Sequence, residues 1–120
     1  LQAARNVHRK YGLPFNRIAI TAMLGENDVQ GNVLLQEDAA ALAGGARRLG
    51  LAGLHYWSLD RDQPCAAGAP RVSPHCHGLP GVAAGRFAMG FMAGLDRAAR
   101  VAPKQGLKAS TEVNKGKPRR

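Results

Sequence analysis

The chain has 120 residues, 45% of them hydrophobic, which suits one packed domain and excludes a disordered or collagen-like polymer. Its formal net charge of +9 would favour polyanions without specifying a site. The excess is concentrated: from Arg97 onward eight bases face one acid, Glu112, so the body is only mildly basic and no specific nucleic-acid partner is expected.

No apolar run approaches the roughly 18 residues of a membrane span, and no leader-like segment opens the chain, so no membrane partner is expected. The chain starts on Leu1, and LQAARNVHRKYG already reads as a helix in mid-course, so a piece of a longer protein is expected. Leu1, Ala4 and Val7, or His8 and Tyr11, recur at helical spacing until Gly12 and Pro14 stop them. Arg17 to Leu24 is then a short β-branched and apolar run, predicted as a strand buried on both faces, with a polar exit at Gly25-Glu26-Asn27-Asp28.

A helix is predicted over Gln36 to Leu49, where Ala39, Leu42, Ala43, Ala46 and Leu49 form one stripe. Glu37 and Asp38 in its first turn and Arg47 and Arg48 in its last complement the helix dipole. The Gly44-Gly45 pair conflicts with this, at a cost of about 1 kcal/mol per glycine relative to alanine. Leu51 to Leu59 is a second predicted strand, leaving through Asp60-Arg61-Asp62.

From Gln63 to Gly81 the chain carries Pro64, Pro70, Pro74 and Pro80 with Gly68, Gly78 and Gly81, so a long ordered loop is expected there. It also holds Cys65 and Cys76, and from their spacing alone a disulfide and two free thiols are both open. A final helix is predicted from Val82 to Arg100, with Phe87, Phe91 and Leu95 four apart. Residues 1–100 thus form the folded part, and the basic tail 101–120 has little to bury and is expected to be disordered.

Two apolar strands joined by a helix imply α/β architecture with parallel pairing. A two-stranded parallel sheet cannot bury its faces alone, so the pattern reads as an excerpt of a larger sheet or barrel, whose remainder would be needed for stability. In such folds ligands sit at the carboxyl ends of the strands. Met23, Glu26, Asn27 and Asp28 fall at one such end, and Tyr56, Trp57, Ser58, Asp60, Arg61 and Asp62 at the other. Sugars pack C–H faces on aromatic rings and pair hydroxyls with amides and carboxylates, so the chain's one Trp beside such groups suits a carbohydrate. Each group also has a plain reading. Trp57 could be a core aromatic, Glu26 to Asp28 a turn and cap, Asp60 to Asp62 a surface ion-pair cluster, and His55 structural, its face unsettled by alternation.

The two strand exits, AITAMLGENDV and GLAGLHYWSLDRDQPC, followed by SPHCHGLPGV, resemble the last two βα units of bacterial family-18 glycoside hydrolases of the chitinase type. The resemblance covers about Leu1 to Leu95. It implies strands seven and eight of a TIM (β/α)8 barrel, incomplete as given, acting on chitin or N-acetylglucosamine oligosaccharides. By that likeness Trp57 forms the floor of the subsite for the sugar that is cleaved, and Met23, Glu26 and Asn27, with Ser58, line the wall. The likeness also implies a Cys65–Cys76 disulfide and a secreted or periplasmic parent.

The family's catalytic Asp-x-x-Asp-x-Asp-x-Glu is not found in these residues, so no catalytic residue is assigned and the chain alone is expected to be inactive. No cofactor is expected, since the dinucleotide, P-loop and H-E-x-x-H motifs are missing, and the spacing of Cys65, His75, Cys76 and His77 matches no ordinary structural zinc site, so no metal is assigned. The alternative function is a non-catalytic module binding polyanions or carbohydrate through the basic tail.

Overall fold

A computed structural model describes residues 1–101; all but the first residue of the expected tail 101–120 lies outside the described residues. Helix α1 spans Gln2–Tyr11 and ends on Gly12, whose left-handed φ of 67° lets its N–H reach His8 O. Strand β1 (Ala19–Met23) follows, then a two-residue antiparallel hairpin of β2 (Gly25–Glu26) and β3 (Val33–Leu34). Helix α2 (Gln36–Leu49), strand β4 (Gly53–Trp57) and helix α3 (Arg86–Val101) complete the order.

β1 and β4 pair in parallel, with Thr21 beside His55 and Met23 beside Trp57. Successive side chains point to opposite faces, so this register sorts the sheet into two surfaces. Ile20, Ala22, Leu54 and Tyr56 share the parity that faces the helices, where Leu24, Ala39, Ala43, Phe87 and Phe91 form the buried core. Tyr56 stacks on Phe91 with ring centroids 5.1 Å apart. Thr21, Met23, His55 and Trp57 therefore share the other face, which no helix among the described residues covers, and Thr21, His55 and Trp57 are exposed there. The expectation that the Arg17 to Leu24 strand is buried on both faces meets one covered face and one open one.

α2 runs over the predicted bounds, and the Asp38 carboxylate accepts a hydrogen bond from Leu35 N–H (3.0 Å) to tie its first turn. Gly45 and Gly94 are packing devices. α2 lies on α3 along a seam of small residues, and a Cβ on Gly45 would run into the side chain of Leu1, while one on Gly94 would strike the backbone of Ala40. The propensity cost at these glycines is thus traded for close helix contact.

α3 begins at Arg86, four residues later than predicted. Gly81 and Gly85 adopt positive φ before it, and the Asp62 carboxylate accepts hydrogen bonds from Phe87 N–H (3.0 Å) and Ala88 N–H (2.9 Å). The helix start is set by a cap from a residue distant in sequence.

Among the described residues β4 has β1 as its one partner, and beside its other edge an apolar groove of about 370 Å³ is lined by Leu51, Leu54, Tyr56, Phe91, Met92 and Leu95. Among the described residues no helix is long and apolar enough to cross a membrane.

Candidate functional site

The carboxyl ends of β1 and β4 bring the two predicted clusters together. Trp57 ends β4 on the open face and keeps 47% of its surface exposed, so the indole is not sealed into the core. Met23 is its direct neighbour across the ladder, and Leu24 N–H continues the pairing by donating to Trp57 O (3.0 Å). The Trp57–Ser58 peptide is cis. Ser58, half-buried, starts the turn Leu59–Arg61, its carbonyl accepting from Arg61 N–H (2.9 Å).

Asn27 is anchored to the exit of β1. Its Nδ2 donates to Met23 O (3.3 Å) and Gly25 O (3.0 Å), and no hydrogen bond among the described residues uses Oδ1, which remains as an acceptor. Met23 and Asn27 both line an open groove between the outer edge of β1 and the β2–β3 hairpin. Asp28 behaves as a turn residue, its Oδ1 accepting from Val29 N–H (3.0 Å).

Glu26 is drawn toward the disulfide loop. Its stem packs where a Cβ on Gly78 would lie, and its carboxylate pairs with Arg71 at 3.6 Å. Arg71 also donates to Asn27 O (3.1 Å) and Asp28 O (3.4 Å), so it fastens the β1 exit to the loop. Sequence reasoning missed Arg71 because nothing local marks a loop arginine as the partner of carbonyls more than forty positions away. The pair is partly exposed, which limits its contribution to about 1 kcal/mol or less.

The loop itself is closed by the Cys65–Cys76 disulfide. His77 lies beneath it fully buried, with Nδ1 accepting from Leu79 N–H (3.0 Å) and Nε2 bonded to Val82 O (3.0 Å), an arrangement that fixes the neutral tautomer with its proton on Nε2. Both ring nitrogens are thereby committed. Among the described residues no group of three or more His, Cys, Asp or Glu is gathered to hold a metal.

The Asp60-Arg61-Asp62 exit corrects the surface ion-pair reading. Asp60 is exposed, but Arg61 and Asp62 are buried and make no ion pair with each other among the described residues. Asp62 is spent on α3. Arg61 is fully buried and donates to the carbonyls of Leu24 (2.5 Å), Glu26 (2.5 Å) and Ser73, with its guanidinium carbon 5.6 Å from the Trp57 ring centroid. Burial pushes its pKa below the ordinary arginine value, because desolvation penalises the charged form.

The arrangement presents an indole face at a strand end, a thioether beside it and an unused amide acceptor at the exit of β1. Over part of its length the chain is similar to chitinases. The chain is 38% identical over 68 residues, 57% of its length, to an Escherichia coli (strain K12) protein described as "Probable bifunctional chitinase/lysozyme". It also matches the crystal structure of the catalytic domain of a hyperthermophilic chitinase from Pyrococcus furiosus, at 28% identity over 78% of the chain with a TM-score of 0.61. Catalytic-site mutants of active domain 2 of the thermostable chitinase from the same organism, complexed with chito-oligosaccharides, match over 79% of the chain with the same score and identity. The chain spans 7% of the E. coli protein and 32% of each of these solved chains. No protein-family model matches it. The described residues are thus a mixed α/β unit that matches part of a chitinase catalytic domain.

Proposed function

We propose that this chain supplies the last two βα units, strands seven and eight, of a chitinase-type (β/α)8 barrel, and with them the floor and one wall of a cleft for N-acetylglucosamine polymers. Trp57 stacks the sugar, Met23 packs beside it, and Asn27 and Ser58 offer polar contacts from the strand exits. Glu26, whose carboxylate pairs with Arg71, is assigned to the same wall in this reading. The observation that carries the reading is the open sheet face: Trp57 stands half-exposed at a strand's carboxyl end, beside Met23, on the side the helices leave bare. A barrel places its cleft at that end of its strands and its interior on that face. The free edge of β4 and its apolar groove are where further strands and helices would pack, so the remainder of such a barrel contributes to stability.

No general acid is assigned within these residues, so the role proposed for the chain is binding and positioning, with bond cleavage depending on residues outside it. The disulfide suits an oxidising compartment and hence a secreted or periplasmic protein. Trp57 is the one tryptophan of the chain, so its fluorescence reports the site without ambiguity. Titration with N-acetylglucosamine oligosaccharides should give a saturable change in Trp57 emission, and Trp57→Ala should weaken binding measured by calorimetry. An emission that stays flat, together with a calorimetric affinity unaltered by Trp57→Ala, would overturn the proposal.

A further inference from the structure

A fully buried cation without a carboxylate partner is expensive, and replacing buried ionic groups by apolar side chains of similar volume is often neutral or stabilising. Arg61 is such a cation. Of the nearby acids, Asp62 commits both carboxylate oxygens to the start of α3, and Asp60 is exposed. The guanidinium spends Nη1 on Ser73 O and Nη2 on Leu24 O and Glu26 O, while Nε has no partner among the described residues. Those carbonyls belong to the exit of β1, the β2 strand and the disulfide loop. The arginine itself follows the exit of β4, so one planar group joins both strand exits and the disulfide loop while lying beside the indole.

We infer that Arg61 is the positioning residue of the sugar platform, a fork that locks the β1 exit and the disulfide loop together while backing the Trp57 ring so that it presents one fixed face to a pyranose. This rests on the reading of Trp57 as the sugar floor. The geometry explains why a cation is kept here: three carbonyls converging from separate segments need a donor with a rigid fan of N–H groups, and an aromatic face accepts the same positive charge from the side. An apolar residue would fill the space but leave three inward-facing carbonyls without donors. A lysine would carry the charge as a point without the fork. Holding the ring before the ligand arrives removes an ordering cost from binding.

The test uses the 120-residue chain with Arg61→Lys and Arg61→Met, and Asp62→Asn as a control that weakens the neighbouring helix cap without touching the indole. Far-UV circular dichroism reads folding, near-UV circular dichroism and acrylamide quenching read the single tryptophan, and calorimetry with triacetylchitotriose reads binding. Both Arg61 variants should keep the helical signal, lose most of the near-UV tryptophan band, become more quenchable and bind at least about tenfold more weakly, a difference of about 1.4 kcal/mol. Asp62→Asn should lower stability and leave the tryptophan band in place. Arg61→Met with an unchanged tryptophan band and affinity would overturn the inference, as would Asp62→Asn perturbing Trp57 equally.

If the variants do not fold, the unmodified chain decides by NMR. Slowly exchanging, separately resolved Arg61 Nη protons support the fork, and a single averaged, fast-exchanging set overturns it. If the unmodified chain does not bind triacetylchitotriose while the variants still change the Trp57 signals, the positioning role stands and the carbohydrate reading fails.

Discussion

The seam between α2 and α3 makes Gly94→Ala the most discriminating stability test. Alanine in a helix interior is normally better than glycine by about 1 kcal/mol, so propensity alone predicts a gain. At Gly94 the added Cβ would lie within 2.8 Å of Ala40 Cα and C and closer still to Ala40 O. These are backbone atoms of a neighbouring helix that cannot rotate away, so α2 and α3 must separate, an overpacking cost of about 1–3 kcal/mol. Such a shift also strips contacts from Phe91 and Ala43 in the core. Less the propensity gain, the overpacking leaves a net loss of up to about 2 kcal/mol before the stripped core contacts are added, and each kcal/mol lowers Tm by roughly 4–8 °C for a domain of this size.

Gly44→Ala on the facing helix is the internal control. Its Cβ would meet Arg48 Nη1 at 3.1 Å and Gly94 O at 3.5 Å. The first neighbour is the end of a flexible side chain and the second is an ordinary contact, so the propensity gain survives and Tm should hold or rise by a few degrees. Thermal melts followed at 222 nm compare the two. A Gly94→Ala protein that melts at or above the unmodified chain would refute the reasoning, because the helices would then have room that the seam denies.

Asp62→Ala removes two hydrogen-bond acceptors from the first turn of α3 and should cost about 1–2 kcal/mol in urea denaturation, against an unshifted midpoint if α3 is capped another way. Reducing the Cys65–Cys76 disulfide, whose partners are 11 positions apart, should lower stability by about 3 kcal/mol on the chain-entropy account; protein equally stable with and without reductant would contradict this. The chain by itself should release no chromophore from a chromogenic chitobioside, and turnover by it would show that a general acid lies among these residues after all.

Much of the fold was legible because it is written in short-range pattern. The stripe from Ala39 to Leu49 specifies α2, and the β-branched run before Gly25 specifies β1. The two polar strand exits, with Trp57 at one of them, were enough to suggest both a family and a ligand. What escaped was set by partners distant in the chain. Gly45 looks like a flaw until Leu1 is seen against it. The triplet Asp60-Arg61-Asp62 has the composition of a solvated turn, yet Arg61 is buried by carbonyls 35 and 37 positions away and Asp62 by a helix start 25 positions on. The two-residue strands β2 and β3 are too short to show any period. Alternation tied His55 to Trp57, but only the placement of α2 and α3 decided which face they share.

The claim on which the functional account turns is that the exposed indole of Trp57 receives a sugar ring. Intermolecular NOEs between the chain and triacetylchitotriose test it at atomic resolution. Contacts from the Trp57 ring protons to pyranose ring and acetamido methyl protons, with weaker ones from the Met23 methyl, are the predicted result. Bound sugar whose contacts all map to other surfaces, with the Trp57 resonances unmoved, would contradict it.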